Sequence, residues 1–290
     1  MEATQNISHR KVINIQPFKE HKIYGTIITY HNSELKLHFE TEVSFSGIDS
    51  HNNFLFELNK KQVYINNEAP KFVIDKLADA MGKVLYPLIV SVDADGFVNG
   101  IANYKHILTR WPGVKEKLQQ YYKGNIAEDA IAQMERSLQQ ENILLNDIKN
   151  DWFIALFFSG IYGLQPYNFR QKSPLLLPVI SYAPMVQYAV TREITEQHTQ
   201  SKSFIIICKG KIDENRSAED IMNGNPVPVF EALHGKATIA GGEASMRYLL
   251  YHKDFSIRSV TGKCSFTEPG NKEKNIGFEI YHLPEKDKRL

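Results

Sequence analysis

The stretch Leu35-Lys36-Leu37-His38-Phe39-Glu40-Thr41-Glu42-Val43-Ser44-Phe45 alternates apolar and polar residues almost without a break. Successive side chains of a strand point to opposite faces of its sheet. Leu35, Leu37, Phe39, Val43 and Phe45 therefore form a dry column, with only Thr41 softening it. Lys36, His38, Glu40, Glu42 and Ser44 form the wet one. The same alternation returns after residue 203, and a helical stretch separates the two. This order predicts an α+β chain: a curved antiparallel sheet, or two sheets, with a central helical block packed on one face.

Working outward, Ile23 to Tyr30 reads as a β-branched and aromatic strand, and Asn32-Ser33 as the turn into the alternating one. Phe54, Phe56 and Leu58 share a face of the next strand. Pro70 suits a first helical position. From there Phe72, Val73, Ile74, Leu77, Ala78 and Met81 predict an apolar helical stripe closed by Gly82. Two strands follow, joined at Asp93-Ala94-Asp95-Gly96. The helical block opens with a short helix capped by Asn103, which Pro112-Gly113 interrupts before a second helix over 114–122. Asn125 and Glu128 have the spacing of a capping box. A break between Glu141 and Asp147 is expected in the long pattern that follows.

Strands are next expected over 185–194, 203–212, 236–240, 245–252, 255–266 and 275–283. A short helix opens at Ser217-Ala218-Glu219-Asp220. The resulting division is a polar N-terminal segment (1–22), a strand-rich part with one helix (23–102), a helical block (103–165), an antiparallel meander (166–283) and a charged tail (284–290). Residues 23–283 are long enough and apolar enough to form one domain.

The chain has 290 residues, 42% of them hydrophobic and 23% charged, with a formal net charge of +1 from 34 basic and 33 acidic residues. That near-balance argues against nucleic acid as a main partner. The start of the chain lacks the apolar core of an export signal, and two cysteines do not make a disulfide framework, so a cytoplasmic protein with reduced thiols is expected. Trp152 to Leu164 is apolar but too short to span a bilayer, and Pro174, Pro178 and Pro184 break the other apolar run.

Candidate chemistry is sparse. Aligned on Gly96, the segment Ser91 to Ala102 resembles the calcium loop of the EF-hand family, which implies Asp93 and Asp95 as ligands. It departs from that pattern at both ends, where Ser91 and Ala102 stand in place of an acid and a bidentate Glu, and its flanks read as strands. A hairpin turn made by Asp and Gly is the reading favoured over a metal site. His38, Glu40 and Glu42 share one strand face, as a solvated face normally would. Ser159-Gly160 lacks the preceding Gly of a hydrolase elbow. Cys208 and Cys264 read as buried thiols. Neither His234-Gly235-Lys236 nor the Gly241-Gly242 turn meets a phosphate-loop pattern.

What remains is aromatic mass in and after the helical block: Trp111, Tyr121, Tyr122, Trp152, Phe153, Phe157, Phe158, Tyr162, Tyr167 and Phe169. Trp111, Tyr122, Trp152, Phe157 and Tyr162 are the candidate contact residues, for either a partner or a ligand. The composite expectation is a non-enzymatic adaptor or structural subunit working through a protein partner or self-association. The alternative is a carrier or sensor of an apolar small molecule held between sheet and helices, and a third reading is an enzyme assembled from distant residues. No cofactor, metal or catalytic residue is assigned.

Overall fold

The computed structural model describes residues 12–18, 20–164, 170–181, 183–197 and 203–284. Tyr167, Phe169 and nearly all of the charged tail lie outside them. The first half runs β1 (Lys22–Tyr30), β2 (Leu35–Ile48), β3 (Phe54–Lys60), β4 (Tyr64–Ile65), α1 (Val73–Gly82), β5 (Leu88–Val92) and β6 (Val98–Ile101). Helices α2 (Tyr104–Tyr121), α3 (Asn125–Gln139), α4 (Glu141–Lys149) and α5 (Trp152–Phe157) follow. The second half holds β7 (Arg170–Leu177), β8 (Val186–Gln197), β9 (Ser203–Ile212), α6 (Ala218–Met222) and α7 (Phe230–His234). It ends with β10 (Glu243–Tyr251), β11 (Ile257–Glu268) and β12 (Lys272–Leu283).

All twelve strands of the described residues join one antiparallel sheet, so the one-sheet alternative holds over the two-sheet one. The spatial order is β6-β5-β3-β2-β1-β12-β11-β10-β9-β8-β7, with β4 beside β2. Strand β1 joins the two halves by pairing with β12, Tyr30 opposite Ile276 and Ile23 opposite Leu283. The alternation in β2 is as expected: Phe39, Thr41 and Val43 are buried, and Leu37 and Phe45 pack against the core. The sheet does not close, because β6 and β7 at its two ends do not pair with each other.

The shape follows from what α5 and the two residues after it touch. Phe157 meets Tyr24 of β1, Trp152 stacks on Phe278 of β12, and Phe158 meets Phe56 of β3. The Leu156 carbonyl accepts from Tyr248 of β10, and the Ser159 carbonyl accepts from Arg192 of β8. Strands β3 and β8 stand seven places apart in the sheet order, roughly 34 Å if the sheet were flat at about 4.8 Å per strand. A helix of six residues is about 9 Å long. This helix and the two residues that leave it reach all these strands only because the sheet curls around them.

Local chemistry explains α5. Asp151 Oδ1 accepts the Phe153 and Ile154 N–H groups at 2.9 and 3.3 Å, capping the helix, while Oδ2 takes Lys60 Nζ at 2.7 Å. Trp152 and Phe153 to Phe157 are then buried apart from Ala155 at the rim. Each fully buried Phe or Leu stabilises by about 1.5–3 kcal/mol. The start of the described chain joins this core: Ile13, Ile15 and Phe18, within the stretch expected to be polar, are buried. The Ile13 N–H donates to the Leu164 carbonyl at 3.1 Å, and the Ile13 carbonyl accepts from Gly163 at 2.9 Å.

Several expectations need correction. Pro112 does not interrupt α2, because Ile107, Trp111 and Leu118 form one buried stripe on both sides of it and packing outweighs the lost hydrogen bond. Asn103 does not cap that helix with its side chain. It accepts from Ile89 N–H and donates to the Pro87 carbonyl, tying α2 to β5. Asn125 is already helical and Gly124 takes the cap position, so no capping box forms there. Helix α1 starts at Val73, leaving Pro70 outside, and Phe72, Val73 and Ile74 are exposed where a buried stripe was expected. Residues 236–240 form no strand; only Ile239 bridges Ser217. Strand β7 adds to the expected strands, which begin at 185; Pro174 is tolerated in it because a sheet edge needs no N–H there. The capping box at Ser217 and Asp220 is present; the helical break falls at Gln140, just ahead of the expected 141–147 window, which α4 spans unbroken.

Candidate functional site

Where the two free edges of the sheet approach α5, they leave an apolar slot of about 400 Å³. Phe97, Val98 and Asn99 form one wall at β6, and Pro174, Leu175 and Leu176 the other at β7. Ile154, Ala155, Phe158 and Ser159 make the floor, with Met185, Asp93 and Lys149 completing the lining. Phe97 and Leu176 are 40% and 43% exposed, so two large apolar side chains face water across the opening. Ligand sites are typically concave, mostly apolar and roughly 300–1,000 Å³. The slot fits that description.

The floor is fixed in place by buried polar contacts. Phe97 forms a backbone bridge with Ser159. The Ser159 and Tyr248 hydroxyls lie 2.7 Å apart, and Arg192, 4% exposed, donates to the Ser159 and Gly160 carbonyls. Gly160 has φ +69°, and a Cβ there would fall 1.9 Å from Phe97 Cζ, so only glycine lets β6 close onto the end of α5.

Charge at the slot is confined to its rim. Asp93 Oδ1 accepts the N–H groups of Asp95 and Phe97 at 3.0 and 2.9 Å, making the β5–β6 hairpin turn in the segment with the calcium-loop resemblance. Lys149, in the last turn of α4, has its pKa lowered by burial, with Asp93 opposing the shift.

Of the five aromatic candidates, Trp152, Phe157 and Tyr162 come together inside the curled sheet. Trp152 Nε1 donates to the Tyr30 hydroxyl at 2.9 Å, and the Tyr162 hydroxyl donates to the Phe255 carbonyl at 3.2 Å. Trp111 is buried on α2, and Tyr122 ends that helix edge-on to Tyr121. None of the five lines the slot. Phe97, Leu175 and Leu176 do, and sequence reasoning passed them over. The available signal was the run Leu175-Leu176-Leu177 between two prolines, the mark of an apolar edge strand. The polar face of β2 is spent locally: Glu40 pairs with Lys61 at 3.1 Å, and the His38 ring lies against Tyr64.

The cysteines stand on separate strands with β10 between them, Cys264 opposite Ala244 and Cys208 opposite Met246. Both are buried and free. Among the described residues, no helix is long and apolar enough to cross a membrane.

Comparison with known proteins finds similarity at the level of solved structures. No family model and no curated protein matches the chain. The chain is similar to a lipovitellin structure described for its lipid–protein interactions, at 11% identity and a TM-score of 0.40. The match covers 93% of this chain and 25% of that one, so the chain spans about a quarter of that protein's length.

Proposed function

We propose that this protein binds an apolar small molecule in the slot between β6 and β7. The supporting observation is the pairing of Phe97 and Leu176 as exposed apolar walls over a floor of buried aromatic and aliphatic side chains. Exposed apolar surface of this kind is removed from water when a ligand enters. In this reading α5 plugs the curled sheet and the other central helices cover it, while the unpaired edges leave the entrance. The chain acts as a carrier or sensor, without a catalytic group.

A fluorescence titration with the neutral probe N-phenyl-1-naphthylamine tests this. One saturable site is expected, weakened at least tenfold in the L176D and F97D variants, whose changes sit at exposed positions. Unsaturable binding, or affinity unchanged in both variants, would overturn the proposal.

One observation favours a second reading, contact with another copy of the chain. Phe72 and Val73 are 74% and 67% exposed at the start of α1, with Ile74 beside them. Three consecutive exposed apolar residues form a natural contact patch. Sedimentation at increasing concentration should show association that F72E abolishes; a monomer throughout excludes it.

A further inference from the structure

On the outer face of the sheet, strand register places Ser245 of β10 directly opposite Lys209 of β9 and Lys263 of β11. Arg247, two residues further along β10, shares their face. Lys263 stands opposite Gly277 of β12, and Gly277 opposite Thr29 of β1. These residues, with His31 and Thr261, line an open groove of about 610 Å³. Gly277 leaves the floor clear: a Cβ there would fall 3.1 Å from His31 Nε2.

Three cations converge on this groove. Lys211, one pleat from Lys209 on the same strand, is paired with Glu243 at 3.3 Å, and Lys61 with Glu40 at 3.1 Å. Among the described residues, Lys209, Arg247 and Lys263 have no carboxylate partner. The one acid lining the groove, Glu279, accepts the Tyr281 hydroxyl at 2.8 Å. Like charges gathered on one face of a sheet repel one another. Three unpaired cations around one hydroxyl are relieved by a bound anion.

We infer that this groove binds a phosphate-bearing small molecule. Lys209 and Lys263 would approach the phosphate from either side as ammonium point charges, Arg247 would supply a planar fork of N–H donors, and Ser245 a hydroxyl between them. The groove exceeds the size of a phosphate ion, leaving room over Gly277 and Thr29 for the rest of an ester. This site lies on the opposite face of the sheet from the apolar slot and is independent of it.

The probe is inorganic pyrophosphate, titrated into the full chain by calorimetry at low salt. Saturable binding is expected, weakening as salt rises, and falling at least tenfold in K209Q/K263Q but unchanged in the paired control K211Q. Circular dichroism and Tm check that the variants fold. No saturable binding, or binding that K209Q/K263Q retains, overturns the inference. Vesicles containing an anionic phospholipid form a second arm. Cosedimentation without pyrophosphate binding would assign the cations to a membrane surface, and likewise overturn it.

Discussion

Arg192 Nη2 donates to the Ser159 carbonyl at 2.9 Å, while Nη1 reaches the carbonyl of Gly160. A buried guanidinium on β8 thus holds the exit of α5, and with it the floor of the slot. Arg192→Met would leave both carbonyls without these donors, at about 1–3 kcal/mol for each that stays unsatisfied, offset in part by relief of a buried charge. A net loss of about 1–3 kcal/mol is expected. Urea unfolding measures it, and an equal or higher midpoint at the same slope would contradict the role given to Arg192.

Gly160→Ala should be more costly than its size suggests. The added methyl meets the Phe97 ring, and the left-handed backbone itself costs a non-glycine residue about 1–2 kcal/mol. The double variant G160A/F97A removes the clash and leaves the backbone term. It should therefore recover part of the stability lost in G160A, and thermal melts of the three variants decide this. Full recovery would mean that the backbone contributes nothing.

Burial pushes the Cys208 thiol up to about 11, against the opposing influence of Arg192, and the Cys264 thiol up to about 12. The hydroxyls of Tyr24, Tyr162, Tyr188 and Tyr248 are raised in the same way, burial being the largest cause for each. A folded pKa above the unfolded one gives stability that is complete below the unfolded value and lost as pH rises through the folded one. Stability should hold up to about pH 9 and fall steeply between about 9 and 12. Neither thiol should react with a disulfide reagent at pH 8 unless the chain is unfolded. Rapid labelling of the native protein would show that the cysteines are open to solvent.

Asp220 predicts the opposite slope at low pH. Burial raises its pKa, but hydrogen bonds from Asn225, Ser217 and the N–H groups of Val229 and Phe230 outweigh that and hold it well below the usual range. The stability it lends is present above about pH 4 and disappears as pH falls below that value. Asp220→Asn should flatten the acid limb of the stability curve and loosen the segment carrying α6 and α7. Hydrogen exchange across 217–234 reads this directly; unchanged protection would sink it.

The legible parts of the fold were those where one side chain's polarity answers one local question. The alternation of β2 needs only the burial of one face, and the Ser217–Asp220 cap needs only its own turn, so both read straight from the chain. Pro112 misled because its local cost is outweighed by a stripe from Ile107 to Leu118 that spans it. Phe72, Val73 and Ile74 misled because apolar periodicity says which residues share a face, not whether anything covers them. The slot was hidden for a different reason. Its walls come from β6 and β7, whose meeting depends on how far eleven strands curl around α5, and no short window of sequence carries that quantity.

The pairing of Tyr30 with Ile276 brings together residues almost the whole chain apart. During synthesis, β1 has one edge ready for β2 at once, while its other edge waits until β12 has been made. Until then Tyr24 and Ile28 lack their β12 partners, and the early hairpin offers a bare hydrogen-bonding edge to any passing strand. Contacts this distant slow folding, so the nascent chain's exposure to aggregation through this edge lasts until β12 emerges.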